Sequence, residues 1–122
     1  MTQGAKERRR FMRFNTSLKA EYWAKGPSML SGETDIRDFC REGVRVHLPK
    51  PVARGEHVDL SLKVPGDNIP IFATGEVAWT RESSVEFGSD VGLRLRSIAP
   101  LDLARLLDFV YAKWLGAIQQ KV

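Results

Sequence analysis

A chain of 122 residues, 43% hydrophobic and 28% charged, has the length and balance of one globular domain with a single core, which excludes a multidomain enzyme and a disordered chain. No apolar run approaches the roughly 20 residues that cross a bilayer, and MTQGAKERRR lacks the apolar middle of a secretory signal, so no membrane insertion is expected and the expected location is the cytoplasm. The net charge of +4 is localised: Lys6, Arg8, Arg9, Arg10 and Arg13 against Glu7 place the whole excess in residues 1–13, a local anion trap rather than the broad basic face that duplex DNA requires.

In chain order, residues 1–13 read as a flexible arginine-rich leader, and the stretch ERRRFMRFN runs straight into the first strand. There Phe14, Thr16, Leu18, Ala20 and Tyr22 alternate with Asn15, Ser17, Lys19 and Glu21, the period of two of a half-buried strand. Lys25, Gly26 and Pro27 turn the chain. A second strand is expected over 29–36, weakened by Gly32, and the segment from Ile36 to Gly43 is expected to be a connection. Val44, Val46 and Leu48 mark one face of a third strand that ends at Pro49 and Pro51.

Val58, Leu60, Leu62 and Val64 form the clearest alternation, bounded by Gly55 and by the turn signal PGDN at 65–68. Residues 69–73 and 75–80 are expected as two further strands, with Val77 and Trp79 on one inward face. A last strand is expected over 91–95. Six or seven short strands joined by tight turns indicate an all-β antiparallel barrel or sandwich over 14–99. Over 100–120 the period changes: Leu103, Leu106, Leu107, Val110, Trp114 and Ile118 recur every three or four residues, as on an amphipathic helix. Pro100 suits its first turn and Asp102 its positive end. The helix is expected to cap one open end of the barrel. Its exposed remainder is available to a partner protein or to a second copy of the chain.

The single Cys40 builds no internal disulfide, and Cys40, His47 and His57 lack metal-ligand spacing, so no metal is expected. No nucleophile triad, paired carboxylates or phosphate loop is visible, which points away from an enzyme. The chemistry sits in two short stretches, the leader and DFCREG at 38–43. Arginine pairs bidentately with phosphate, reads the acceptors of guanine and stacks on a base. Aspartate accepts from the N–H edge of guanine, and a glycine lets backbone N–H groups approach an anion. If both stretches share one rim, Arg9, Arg13, Asp38 and the Gly43 backbone converge on a guanine nucleotide that carries phosphates.

Arg9 and Arg13 form an R-x-x-x-R pair, and Asp38, Cys40 and Gly43 fill D-x-S-x-x-G with cysteine in place of serine. With GEVAW at 75–79, GLRL at 92–95 and the closing helix, the chain resembles the PilZ domain family along nearly its whole length. The resemblance implies a PilZ-type six-stranded barrel that binds cyclic di-GMP and signals to a downstream protein partner. It implies phosphate and guanine-face contacts for Arg9 and Arg13, and guanine-edge and loop contacts for Asp38 and Gly43. Arg8, just before the motif, is implied in holding a second stacked ligand molecule. Cys40 replaces a hydroxyl with a weaker donor, at a cost of about 1 kcal/mol or fivefold in affinity. Two readings stay open beside the receptor: a PilZ-fold adaptor that has lost nucleotide binding, and a basic tether to RNA or an acidic membrane surface.

Overall fold

The computed structural model describes residues 14–40 and 43–120. Six strands, β1 (Phe14–Ala24), β2 (Leu30–Cys40), β3 (Gly43–Leu48), β4 (His57–Leu62), β5 (Ile71–Glu82) and β6 (Ser89–Ile98), precede one helix, α1 (Pro100–Gln120). The strands close into an antiparallel barrel in the order β1-β2-β3-β6-β5-β4, with β4 returning to β1. Closure gives each of the six strands a neighbour on both sides. The inward set of each strand fills the interior: Leu18 and Tyr22 from β1, Ile36 from β2, Val46 and Leu48 from β3, Val58, Leu60 and Leu62 from β4, Ile71 and Val77 from β5, and Val91 from β6, each at most 2% exposed.

The helix docks on this core through Leu106, with Phe109 and Val110 packed beside it. Polar contacts hold its first turns. Leu103 N donates to the Ala99 carbonyl at 2.8 Å, while Arg105 pairs with Asp102 at 3.0 Å and Asp67 at 2.6 Å and also donates to the Ile69 carbonyl. The connection after β3 is stapled by Glu56, which is 7% exposed and accepts from Ala53 N at 2.8 Å, Ser28 N at 3.0 Å and Ser28 Oγ at 2.9 Å.

Three expectations change. Residues 37–40 are strand rather than connection: β2 runs on to Cys40, which pairs with Gly43, and a register shift between Ile36 and Asp38 absorbs Arg37 as a bulge. The two strands expected over 69–73 and 75–80 are one, β5 from Ile71 to Glu82, so the barrel has six strands. Gly75 sits at a register shift whose extra residue, Arg96, belongs to β6, and it packs against Leu93, where a Cβ would lie 3.1 Å from the leucine Cβ; the glycine stands opposite a bulge and does not break the strand. Trp79 lies outside the core, 39% exposed, because a second shift between Val77 and Trp79 inverts the alternation after Val77. Gly32 does not interrupt β2: it pairs with Tyr22, whose hydroxyl would lie 3.0 Å from an added Cβ.

Candidate functional site

One row of paired positions crosses five strands of the barrel wall. Asn15 of β1 pairs with Asp38 of β2, Asp38 with Arg45 of β3, Arg45 with Gly92 of β6, and Gly92 with Trp79 of β5. Val44 and Val46 point inward, so Arg45 between them points outward, and Asp38 directly opposite shares that face. Adjacent strands are about 4.8 Å apart, so the row from Asp38 to Trp79 is about 14 Å long.

The row carries complementary charge. Arg45 Nε donates to Asp38 Oδ2 at 2.8 Å, with the two side chains 23% and 8% exposed. Partial burial places this pair above an ordinary surface ion pair. Arg45 Nη1 also lies 3.8 Å from Asp90 Oδ2. Asp90 in turn faces His47 Nδ1 at 3.3 Å and Arg81 Nη2 at 3.9 Å. His47 Nε2 sits 2.6 Å from the Phe87 carbonyl oxygen, which only accepts, so that nitrogen carries a proton. Arg37 Nη1 reaches Glu86 Oε2 at 2.9 Å. The Arg37 guanidinium holds the Glu86 carboxyl below the usual carboxylate range, and the same bond raises Arg37. The wall around Asp38 is therefore one connected ion network that ties the β5–β6 hairpin to β2 and β3.

At the other end of the row, the Trp79 indole is seated against Gly92, where any Cβ would collide with the indole nitrogen. Glycine is required there by close approach. The Arg81 guanidinium lies over the indole, 5.4 Å from the ring centroid, a cation–π arrangement. Gly43 also answers to sterics: a Cβ there would run into the Leu93 carbonyl oxygen.

Of the residues singled out in the sequence, Arg8, Arg9 and Arg13 lie outside the described residues, as do Arg10 and Arg41. Phe14, which follows Arg13, pairs with Phe39, so the chain enters β1 beside Asp38. Asp38 and Gly43 stand on the adjacent strands β2 and β3, and Cys40 closes β2 opposite Gly43. Sequence reasoning missed Arg45, Asp90, Gly92 and Trp79 as site members. For Arg45 a signal existed, an arginine between two inward valines; for Gly92 and Trp79 it did not, because their meeting depends on a bulge.

Together these groups offer an acceptor for N–H donors, a fixed cation beside it and an exposed indole face, the parts needed to hold a flat, donor-bearing ring that carries negative charge. Among the described residues no group of His, Cys, Asp and Glu is arranged to hold a metal, and no helix is long and apolar enough to cross a membrane.

A family model described as PilZ domain matches residues 7–112. Among solved structures, the Bacillus subtilis inhibitor of motility (MotI/DgrA) superposes with a TM-score of 0.71 at 18% identity, over 89% of this chain and 52% of that one. The likeness at that identity is one of fold, and the present chain spans about half the length of that protein. No curated protein matches the chain.

Proposed function

The chain belongs to the PilZ domain family, and from that premise we propose that it is a cytoplasmic cyclic di-GMP receptor that captures its ligand between the arginine leader and the outer wall at Asp38. One observation carries this reading: Asp38, which fills the family's aspartate position, faces outward on β2 directly opposite Asn15, two residues after Arg13. A ligand whose base edge donates to Asp38 lies where Arg9 and Arg13 can reach its phosphates, and Arg8 is assigned to a second stacked ligand. Trp79 supplies a stacking face at the far end of the row, worth about 1–3 kcal/mol per base. Arg45 holds the Asp38 carboxylate in place.

Binding draws the leader across the wall and changes the surface shown to a downstream protein. The helix offers one such surface, since Leu107 and Tyr111 are each 55% exposed on α1. Recognition without chemistry suits this reading, and no catalytic step is assigned.

The test is calorimetric titration with cyclic di-GMP, beside Arg13→Ala and with GMP as control. Micromolar or tighter binding that Arg13→Ala abolishes supports the receptor; no heat and no thermal shift at high ligand refutes it. A second reading, an adaptor that no longer binds nucleotide, is favoured by Cys40 at the family's serine position. Restoring the hydroxyl with Cys40→Ser separates the two: affinity rises in a receptor and nothing changes in the adaptor.

A further inference from the structure

A second row of paired positions crosses the barrel wall at the other end of the same strands. Trp23 of β1 pairs with Asp59 of β4, Asp59 with Thr74 of β5, and Thr74 with Ser97 of β6. On β5 it is five residues from Trp79, and on β6 five residues from Gly92, so about 17 Å of strand separates it from the first row. A groove of about 560 Å³ lies over it, flanked by Trp23 and Phe72. That volume is within the range of small-molecule sites.

The lining is specific in its chemistry. Trp23 and Phe72 are 38% and 60% exposed, and they stand on the two strands that flank β4, Trp23 level with Asp59 and Phe72 with Ser61, about 12 Å apart on the diagonal. Between them the floor presents acceptors. Asp59 Oδ1 accepts from the Thr74 hydroxyl at 3.0 Å, which fixes the plane of the carboxylate. Asp59 Oδ2 faces Lys25 Nζ at 3.6 Å, with the side chains 44% and 79% exposed. A pair so exposed holds weakly and yields readily to a better donor.

A carboxylate between aromatic faces selects a flat ring with two adjacent in-plane N–H donors. Guanine has them at N1 and at its 2-amino group; adenine sets an acceptor beside its amino group and would meet the carboxylate with like polarity. Lys25, once released, stands at the rim with its charge available to a phosphate. A free guanidinium would satisfy Asp59 but would leave Lys25 facing a second cation. We propose that this groove is a second, low-affinity site for a guanine nucleotide, with the base stacked between Trp23 and Phe72, its donor edge on Asp59 and its phosphate at Lys25.

The proposal is independent of the leader site, and the test is arranged to keep it so. In full-length Arg13→Ala protein, amide and indole N–H signals are followed by NMR while GMP is added to about 10 mM, the range in which a shallow groove binds. The expected result is saturable shifts of the Trp23 indole and of the Asp59, Thr74 and Ser97 amides. IMP, which lacks the 2-amino group, should bind about tenfold more weakly, and so should GMP to Asp59→Asn. Phe72→Ala, a change at an exposed position that spares the core, should also weaken GMP. The proposal is overturned by silence at these residues, by AMP or IMP binding as well as GMP, or by N-acetylarginine amide moving the same signals more strongly than GMP. That last outcome would make the groove a receptor for an arginine side chain.

Discussion

Replacing Asp38 by alanine separates recognition from stability. The carboxylate is 8% exposed and holds Arg45 at 2.8 Å. Breaking a fully buried pair costs about 3–5 kcal/mol because it strands a charge. Here Arg45 keeps Asp90 at 3.8 Å and is itself 23% exposed, so about 1–2 kcal/mol is expected, or a Tm lower by about 4–8 °C for a domain of this size. The ligand side is larger. Two N–H donors on one guanine edge, each worth about 1.5 kcal/mol or more against a charged acceptor, amount to at least about 3 kcal/mol, which is more than about 100-fold in Kd.

Calorimetry at a temperature well below both unfolding midpoints reads the second effect without the first. Asp38→Asn should lose nearly as much affinity, since its amide hydrogens oppose donors on both sides. Arg45→Ala, which takes the cation from beside the more buried of the two side chains, should lower stability at least as much as Asp38→Ala and affinity by only about tenfold, because the acceptor remains but is less well held. A cyclic di-GMP Kd for Asp38→Ala within about threefold of wild type, at the expected Tm loss, would show that Asp38 is a wall residue and would refute the assignment.

Three further outcomes follow from the same geometry. Trp79→Ala should cost about tenfold or more in affinity through lost stacking while changing Tm little, since the indole lies outside the core; equal binding, measured by calorimetry, would remove Trp79 from the site. Cys40→Ser should tighten binding about fivefold by restoring one hydrogen bond, which a direct comparison of Kd values checks. Burial pushes the Glu56 carboxyl up, but the bonds donated by Ala53 and Ser28 outweigh it and hold it below the ordinary 4.5. Its contribution is thus present above pH 4.5 and is lost as pH falls through the folded-state value; Glu56→Gln should flatten that part of the Tm-against-pH curve and lower Tm at neutral pH.

The strands were legible because period two survives wherever one face is buried: the alternations from Phe14, Val44 and Val58 all became strands, and the change of period at Leu103 became α1. Register was not legible. Val77 and Trp79 sit two apart in GEVAW and read as one face, yet a single extra residue in β5 sends the indole outside. The same device at Arg37 lengthens β2 and aligns Asp38 with Arg45. Bulges are invisible to a pattern that counts only apolar and polar positions, because the residue that bulges is decided by the partner strand.

The difference between what was found and what was missed follows chain distance. Asp38 and Gly43 sit on a local hairpin, β2 to β3, so two short motifs suffice to place them. Gly92 and Trp79 join the row only because β3 pairs with β6 instead of β4, a non-consecutive pairing that no local spacing records. Gly92 shows the consequence: in the sequence it is one glycine of GLRL, and in the barrel it is the position where a Cβ would displace the Trp79 indole. Selection acting on the far end of this wall would therefore fall on a glycine and a tryptophan 13 residues apart as a pair, and Gly92→Ala should move the indole and weaken ligand binding about as much as Trp79→Ala does, without removing any group that contacts the ligand.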